Sequence, residues 1–226
     1  MNYAIIYSRM NSSRLPGKAL IDIGGKPLLQ RCIERVQKSK YFKPIIATSY
    51  EDSDLPICDL AKDIGVDVFR GSLEDVASRT IKFLESTACN YFARVNGDSP
   101  FVDGELLDRG FEIISTQEMD IITNIHPKRS FPYGMSVEIL KANTFLNNAP
   151  KFKDLEREHI TSFFYSEISQ FKYHNIVFEE ENLSNVSLVV DERSDLEKIN
   201  KLLKLYPSLF DLSYDQILNI FKKHNK

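Results

Sequence analysis

Ala4-Ile5-Ile6-Tyr7-Ser8-Arg9-Met10-Asn11-Ser12-Ser13-Arg14-Leu15-Pro16-Gly17-Lys18 opens on a short apolar run and breaks at once into a loop of cations, hydroxyls and one glycine. The run is too short for a helix and reads as a buried strand. Residues 44–49, 66–69, 91–95 and 120–123 read the same way. Helices fall between them. Pro27 suits a first helical position, with Leu28, Leu29, Cys32, Ile33 and Val36 at helical spacing behind it. Leu55, Cys58, Ala61 and Ile64 mark a second helix that Gly65 closes. Ser72, ahead of Asp75, has the pattern of an N-cap for a third helix running to about Thr87. This alternation predicts right-handed crossovers and a mainly parallel sheet in a Rossmann-like three-layer α/β/α fold. Such sheets take their ligands at the carboxyl ends of the strands, where the loop 8–18 begins.

Beyond about residue 125 the alternation loosens: a loop through Pro127 and Pro132, a strand near 135–139, a helix near 154–169 and a strand near 172–178. The stretch 126–182 reads as a small inserted lobe on a single domain spanning 1–226. A buried strand at 186–190, a helix opening at Ser194 with Asp195 and Glu197 in its first turn, and an amphipathic helix within 206–226 are expected after it.

The 226 residues suffice for one sizeable core, and 29 Lys and Arg against 32 Asp and Glu leave a net charge of −3. The basic surplus of a general nucleic-acid binder is missing, so an anionic ligand must be gripped locally. Cys32, Cys58 and Cys89 are odd in number and form no C-x-x-C pair, which argues against a disulfide framework and a thiolate zinc site. The first apolar run has no basic residue before it and meets Arg9 directly, so it is neither a signal peptide nor a membrane span. A cytoplasmic protein with no membrane partner is expected.

At the sheet edge, Arg9, Arg14 and Lys18 with Ser12 and Ser13 suit a polyphosphate: arginine offers a planar fork, lysine a movable point charge, and loop amides complete a cradle. The same composition also suits a solvated basic loop. Neither G-x-x-x-x-G-K-[ST] nor G-x-G-x-x-G is met here or at Gly24-Gly25-Lys26-Pro27, which argues against a P-loop ATPase and a Rossmann dehydrogenase. Asp98 follows the strand 91–95 and Asp191 the strand 186–190, and two carboxylates at one sheet edge can hold Mg²⁺. Taken singly, Asn96-Gly97-Asp98 is also good turn chemistry and Asp191 suits a helix start.

Arg9-Met10-Asn11-Ser12-Ser13-Arg14-Leu15-Pro16-Gly17-Lys18, followed by Ile23-Gly24-Gly25-Lys26-Pro27-Leu28, resembles the signature of SpsF-like cytidylyltransferases, relatives of the synthetases of CMP-Kdo and CMP-sialic acid. Further matches run in order: Arg70-Gly71-Ser72 with Asp75-Val76, Gly97-Asp98-Ser99-Pro100, Phe131-Pro132-Tyr133-Gly134 with Val137-Glu138, Glu156-Arg157-Glu158-His159-Ile160-Thr161, and Val190-Asp191 with Asp195-Leu196. The resemblance implies a nucleotide-diphospho-sugar transferase type of fold and a reaction in which CTP and a sugar-like acceptor, acidic or phosphorylated, give a CMP-linked product and pyrophosphate with Mg²⁺, in surface polysaccharide synthesis. It implies that Arg9, Ser12, Ser13, Arg14 and Lys18 hold the triphosphate, with Lys26 also reaching the phosphates. By the same resemblance Asp98 and Asp191 are expected to bind the metal, and Arg9, Lys18 and the two carboxylates to carry catalysis. Arg70, Ser72, Arg79 and Asn96 are expected at the cytidine on the same ground. Asn96 stands where sialic-acid-type relatives carry Gln, and Tyr7 replaces a Gln usual in SpsF-like chains. Arg129, Tyr133, Glu138, Glu158 and His159 fall on the acceptor side, in the lobe through which relatives often dimerise, so a homodimer is expected.

Two other readings compete. A glycosyltransferase using a nucleotide-sugar donor would want an Asp-x-Asp motif, and Asn96-Gly97-Asp98 offers one carboxylate. A nucleotide-binding module without turnover has less need of both Asp98 and Asp191.

Overall fold

Alternation within the first strand, β1 (Asn2–Tyr7), decides the layering. Ala4 and Ile6 point to one face of the sheet and Ile5 and Tyr7 to the other, and each set joins its own core cluster. The computed structural model describes residues 1–178 and 182–224; residues 179–181 of the expected lobe and 225–226 of the expected last helix lie outside these.

β1 pairs in parallel with β2 (Phe42–Ser49) and with β4 (Tyr91–Asn96), and β2 with β3 (Val68–Gly71). β6 (Glu138–Lys141) lies antiparallel between β4 and β5 (Ile121–Thr123), and β7 (Tyr173–Asn175) closes the far edge parallel to β5. The seven strands run in the order β3-β2-β1-β4-β6-β5-β7, so the sheet is mainly parallel, as the alternation predicts.

Helices α1 (Leu28–Val36), α2 (Leu55–Asp63) and α4 (Gly104–Thr116) cover the Ala4 face through Leu29, Ile33, Ile57, Ala61, Leu106 and Ile114. The other face is covered by α3 (Val76–Ser86), α5 (Ala142–Asn148) and α7 (Ser162–Ser166), with Phe83, Phe145 and Phe164 against Ile5 and Phe92. A third cluster gathers α8 (Arg193–Leu205) and α9 (Tyr214–His224) around Phe101, Leu188 and Val190. Among the described residues no helix is long and apolar enough to cross a membrane.

Three local expectations need correction, and one helix is an addition. The stretch 154–169 is not one helix: α6 (Asp154–Glu158) ends where His159 leaves helical geometry, which turns Ile160 into the core before α7 begins. Residues 186–190 form no strand. An isolated parallel bridge between Ser187 and Tyr133, with bonds from Val186 N to Leu183 O and from Val190 N to Asp98 O, stands in place of a ladder, and the alternating burial of Leu188 and Val190 serves the third cluster. The N-cap of α3 is Asp75, whose carboxylate accepts from Ser78 N, while Ser72 Oγ accepts from Asp75 N. α4 was not in the expected set, although Asp103 caps it through Glu105 N and Leu106 N. Residues 126–178 contribute β6 and β7 to the central sheet itself.

Candidate active site

The loop after β1 is held in shape by its own backbone hydrogen bonds. Ser12 N and Gly17 N both donate to Met10 O, at 3.0 and 2.9 Å, and Lys18 N donates to Leu15 O at 3.1 Å. Gly17 makes that closure with φ 73°, a conformation a side chain would strain. From below, Asp54 anchors the loop. Its Oδ1 accepts from Met10 N at 2.7 Å, and its Oδ2 accepts from Thr48 Oγ1, Ser49 N and Ser49 Oγ. Burial pushes the Asp54 carboxyl up, but the bonds from Met10, Ser49 and Thr48 outweigh it and hold its pKa below the ordinary value. Arg9, Ser12, Ser13, Arg14 and Lys18 thereby line one wall of a cleft of about 500 Å³.

Asp98 and Asp191 converge on that wall from two directions. Gly97 N donates to Tyr7 O at 2.9 Å, tying the end of β4 to the end of β1, and Asp98 follows. Its carbonyl accepts from Val190 N at 2.9 Å, which brings the next residue, Asp191, alongside. The turn at Tyr133 clamps the approach: Tyr133 N donates to Val186 O and Leu188 N to Tyr133 O. Asp195 Oδ2 then accepts from Asp191 N and Glu192 N, both at 2.9 Å, and fixes Asp191 at the start of α8. Lys18 Nζ sits between the carboxylates, 2.9 Å from Asp98 Oδ2 and 3.0 Å from Asp191 Oδ1. Arg14 Nη2 lies 2.5 Å from Asp191 Oδ2. Burial lowers the affinity of Lys18 for its proton, but Asp98 and Asp191 more than offset this and raise its pKa. Two converging carboxylates beside a phosphate-sized cradle are the donor set a hard divalent ion takes when water and phosphate oxygens complete its shell. The residues therefore fit Mg²⁺.

On β4 alternate residues share a face, which brings Arg94 and Asn96 into the cleft beside Asp98. Arg94 Nη1 donates to Glu138 Oε2 at 2.7 Å, and Tyr165 OH donates to Glu138 Oε1 at 2.7 Å. Burial pushes the Glu138 carboxyl up, yet Arg94 and the hydroxyls of Tyr165 and Thr161 hold its pKa below the usual range. Glu158 and His159 line the outer wall. Deeper in, Tyr7 OH bonds Thr80 Oγ1 at 2.8 Å, and burial pushes its phenol up to about 12.

Of the residues singled out in the sequence, Arg9, Ser12, Ser13, Arg14, Lys18, Arg79, Asn96, Asp98, Glu158, His159 and Asp191 line this cleft. Lys26 does not: it pairs with Glu34 at 2.6 Å on α1. Arg70 donates to the carbonyls of Ser49 and Glu51. Arg79 reaches the cleft wall, but its guanidinium donates to the carbonyls of Ala47, Ser72 and Leu73, so it ties β2 to the loop before α3 instead of presenting a free fork. Glu138 is buried behind Arg94, and Arg129 stacks 4.2 Å over the half-exposed Tyr133 ring outside the cleft. Arg94 and Leu73, which line the cleft, and Asp54, which anchors its loop, are additions. A lone cation in the apolar run Tyr91-Phe92-Ala93-Arg94-Val95, two residues from Asn96, is the signal that finds Arg94.

Known proteins resemble the chain in sequence and in fold. The chain is 28% identical to the spore coat polysaccharide biosynthesis protein SpsF of Bacillus subtilis, over 97% of this chain and 93% of that protein. It is 34% identical to the 3-deoxy-manno-octulosonate cytidylyltransferase of Bdellovibrio bacteriovorus over 54% of this chain and 50% of that one. The solved structure of a cytidylyltransferase from Leptospira borgpetersenii superposes with a TM-score of 0.92 at 28% identity, covering 99% of this chain and 94% of that one. The family model described as Cytidylyltransferase matches residues 3–224, and the chain belongs to that family.

Proposed function

We propose that this chain transfers CMP from CTP to a small sugar-like acceptor bearing an acidic or phosphorylated group, with release of pyrophosphate. The observation that carries the reading is the convergence, in one cleft, of the Arg9–Lys18 cradle with the Asp98 and Asp191 carboxylates. Arg9, Ser12 and Ser13 bind the triphosphate, and Arg14 and Lys18 neutralise charge as the β-phosphate departs. Asp98 and Asp191 would hold Mg²⁺, which when bound supplies positive charge at the α-phosphate and the departing pyrophosphate. Tyr7, Leu73 and Val76 wall the base. An acceptor hydroxyl oxygen forms the new bond to the α-phosphorus as the bond to the bridging oxygen breaks. Its proton leaves on the side of Glu158 and His159, the groups there able to take it. Positioning and charge carry the step, and no covalent intermediate is required.

The names of the relatives support a place in surface polysaccharide synthesis. The 126–182 stretch is proposed to complete the acceptor side and to form a homodimer, a claim that a solution mass of 26.0 kDa would reject. Thermal stabilisation by CTP, UTP, ATP and GTP, with and without Mg²⁺, tests the nucleotide. A ligand at about a hundred times its dissociation constant adds roughly 2.7 kcal/mol. CTP with Mg²⁺ is expected to give the largest shift, and pyrophosphate release is then expected with sugar acids or sugar phosphates. A larger shift with another triphosphate would overturn the base assignment.

A further inference from the structure

We propose that Lys18 is a positioning residue for the two carboxylates: in the free protein it holds Asp98 and Asp191 together and keeps a divalent cation off them until a nucleotide draws its ammonium away. The inference rests on the metal-assisted transfer read above and goes beyond it by fixing the order in which ligands enter.

Every carboxylate oxygen of the pair already has a partner from the chain. Lys18 Nζ takes Asp98 Oδ2 and Asp191 Oδ1, Arg14 Nη2 takes Asp191 Oδ2, and Ser99 Oγ donates to Asp98 Oδ1. Two single positive charges balance two negative ones, so the free protein leaves no charge deficit for a cation to fill. The ammonium also stands at the point toward which both carboxylates turn, the place a shared ion would take. An incoming ion must therefore displace Lys18, whose side chain is only 14% exposed. A displaced ammonium needs another anion nearby, and the cradle of Arg9, Ser12 and Ser13 marks where triphosphate oxygens would supply one. The exchange needs no backbone movement. Lys18 N stays bonded to Leu15 O, while the four-carbon stem turns. Lacking Lys18, two like charges drawn together by Val190 and by α8 would face each other with Arg14 alone to balance them, and the negative charge left over is the condition that recruits a divalent ion.

Mn²⁺ serves as the probe, its free concentration read by electron paramagnetic resonance without any turnover. Wild-type protein without nucleotide is expected to show no saturable Mn²⁺ binding below millimolar concentrations. Lys18→Met is expected to gain a site at least tenfold tighter, lost again when Asp98→Asn is added. Lys18→Arg, which keeps the charge, is expected to stay with the wild type. With CTP the wild type is expected to bind Mn²⁺ in a ternary complex. Thermal melts confirm folding, and Lys18→Gln replaces the Met variant if that one does not fold. If free wild type binds Mn²⁺ as tightly as the Lys18→Met variant, the proposal is wrong while the metal-assisted reading stands. If neither that variant nor the CTP complex binds Mn²⁺, the metal reading falls and takes the proposal with it.

Discussion

Gly97 has no room for a side chain, and the reason lies in the site. A Cβ there would sit 2.8 Å from Ser8 Cβ and 3.0 Å from Tyr7 O, because the ends of β1 and β4 close on each other at this residue. Asp98 is next in the chain, so the shift that admits a methyl group carries its carboxylate away from Lys18. Gly97→Ala is expected to fold, to lose at least about tenfold in kcat/KM, or roughly 1.4 kcal/mol of transition-state stabilisation, and to change nucleotide affinity less. Asp54 acts at the same scale from the opposite side of the loop. Removing its carboxylate strands the Met10 and Ser49 donors, which costs about 1–3 kcal/mol for buried groups left unpaired. Asp54→Ala is therefore expected to lower stability by that amount in urea unfolding and to weaken CTP binding more than Asp54→Asn does. The contrast between these residues shows what was legible. Arg9 to Lys18 could be read because the whole cradle is one continuous stretch behind a strand. Asp54 meets Met10 across 44 positions of sequence, and an aspartate ahead of a helix reads locally as nothing more than a cap.

Elements bring the distant halves of the cleft together, and here the sequence said less. β1 to β4 were readable because each is a short apolar run between turn residues. β6 was readable as a strand but not as an antiparallel insertion between β4 and β5, since register and order are set by contacts far along the chain. The extended segment before Asp191 looked like a strand because one-sided burial produces the same alternation. Two ties between elements can be tested. Arg157 of α6 donates through Nε and Nη2 to Asp75, the cap of α3, and so holds Glu158 and His159 over the cleft. Both partners are about a third exposed, so Arg157→Ala is expected to cost no more than about 1 kcal/mol globally. Hydrogen exchange in residues 154–161 is expected to quicken nonetheless, with CTP affinity unchanged. Arg35 is the opposite case. Buried in α1, it pairs with Asp103 at the start of α4 and donates to the carbonyls of Phe210 and Leu212, joining three segments. Arg35→Met leaves Asp103 buried without its partner, so a loss of about 3–5 kcal/mol is expected, read as a fall in Tm of roughly 6–20 °C.

For the whole molecule, the same buried carboxylates set the response to acid. Asp54 and Glu138 both have folded pKa values below their ordinary 3.8 and 4.5. A depressed pKa means that the folded state prefers the ionised form, so the stabilisation is fully present above the ordinary value and is lost as pH falls through the folded one. Lys18 is linked in the opposite sense: its raised pKa stabilises the fold below its ordinary 10.5 and is lost only as pH rises past the folded value, so it contributes nothing to the acid limb. Each linked carboxylate adds up to about 1.4 kcal/mol per pH unit to the acid slope. Glu138 separates linkage from simple packing, because Glu138→Gln keeps the shape while removing the charge that Arg94 faces. Urea unfolding between pH 3 and 7 is expected to show the variant less stable than wild type at pH 7 and the two curves converging as pH falls. A constant gap across that range would mean that Glu138 stabilises the fold through hydrogen bonds alone, with its ionisation unlinked to folding.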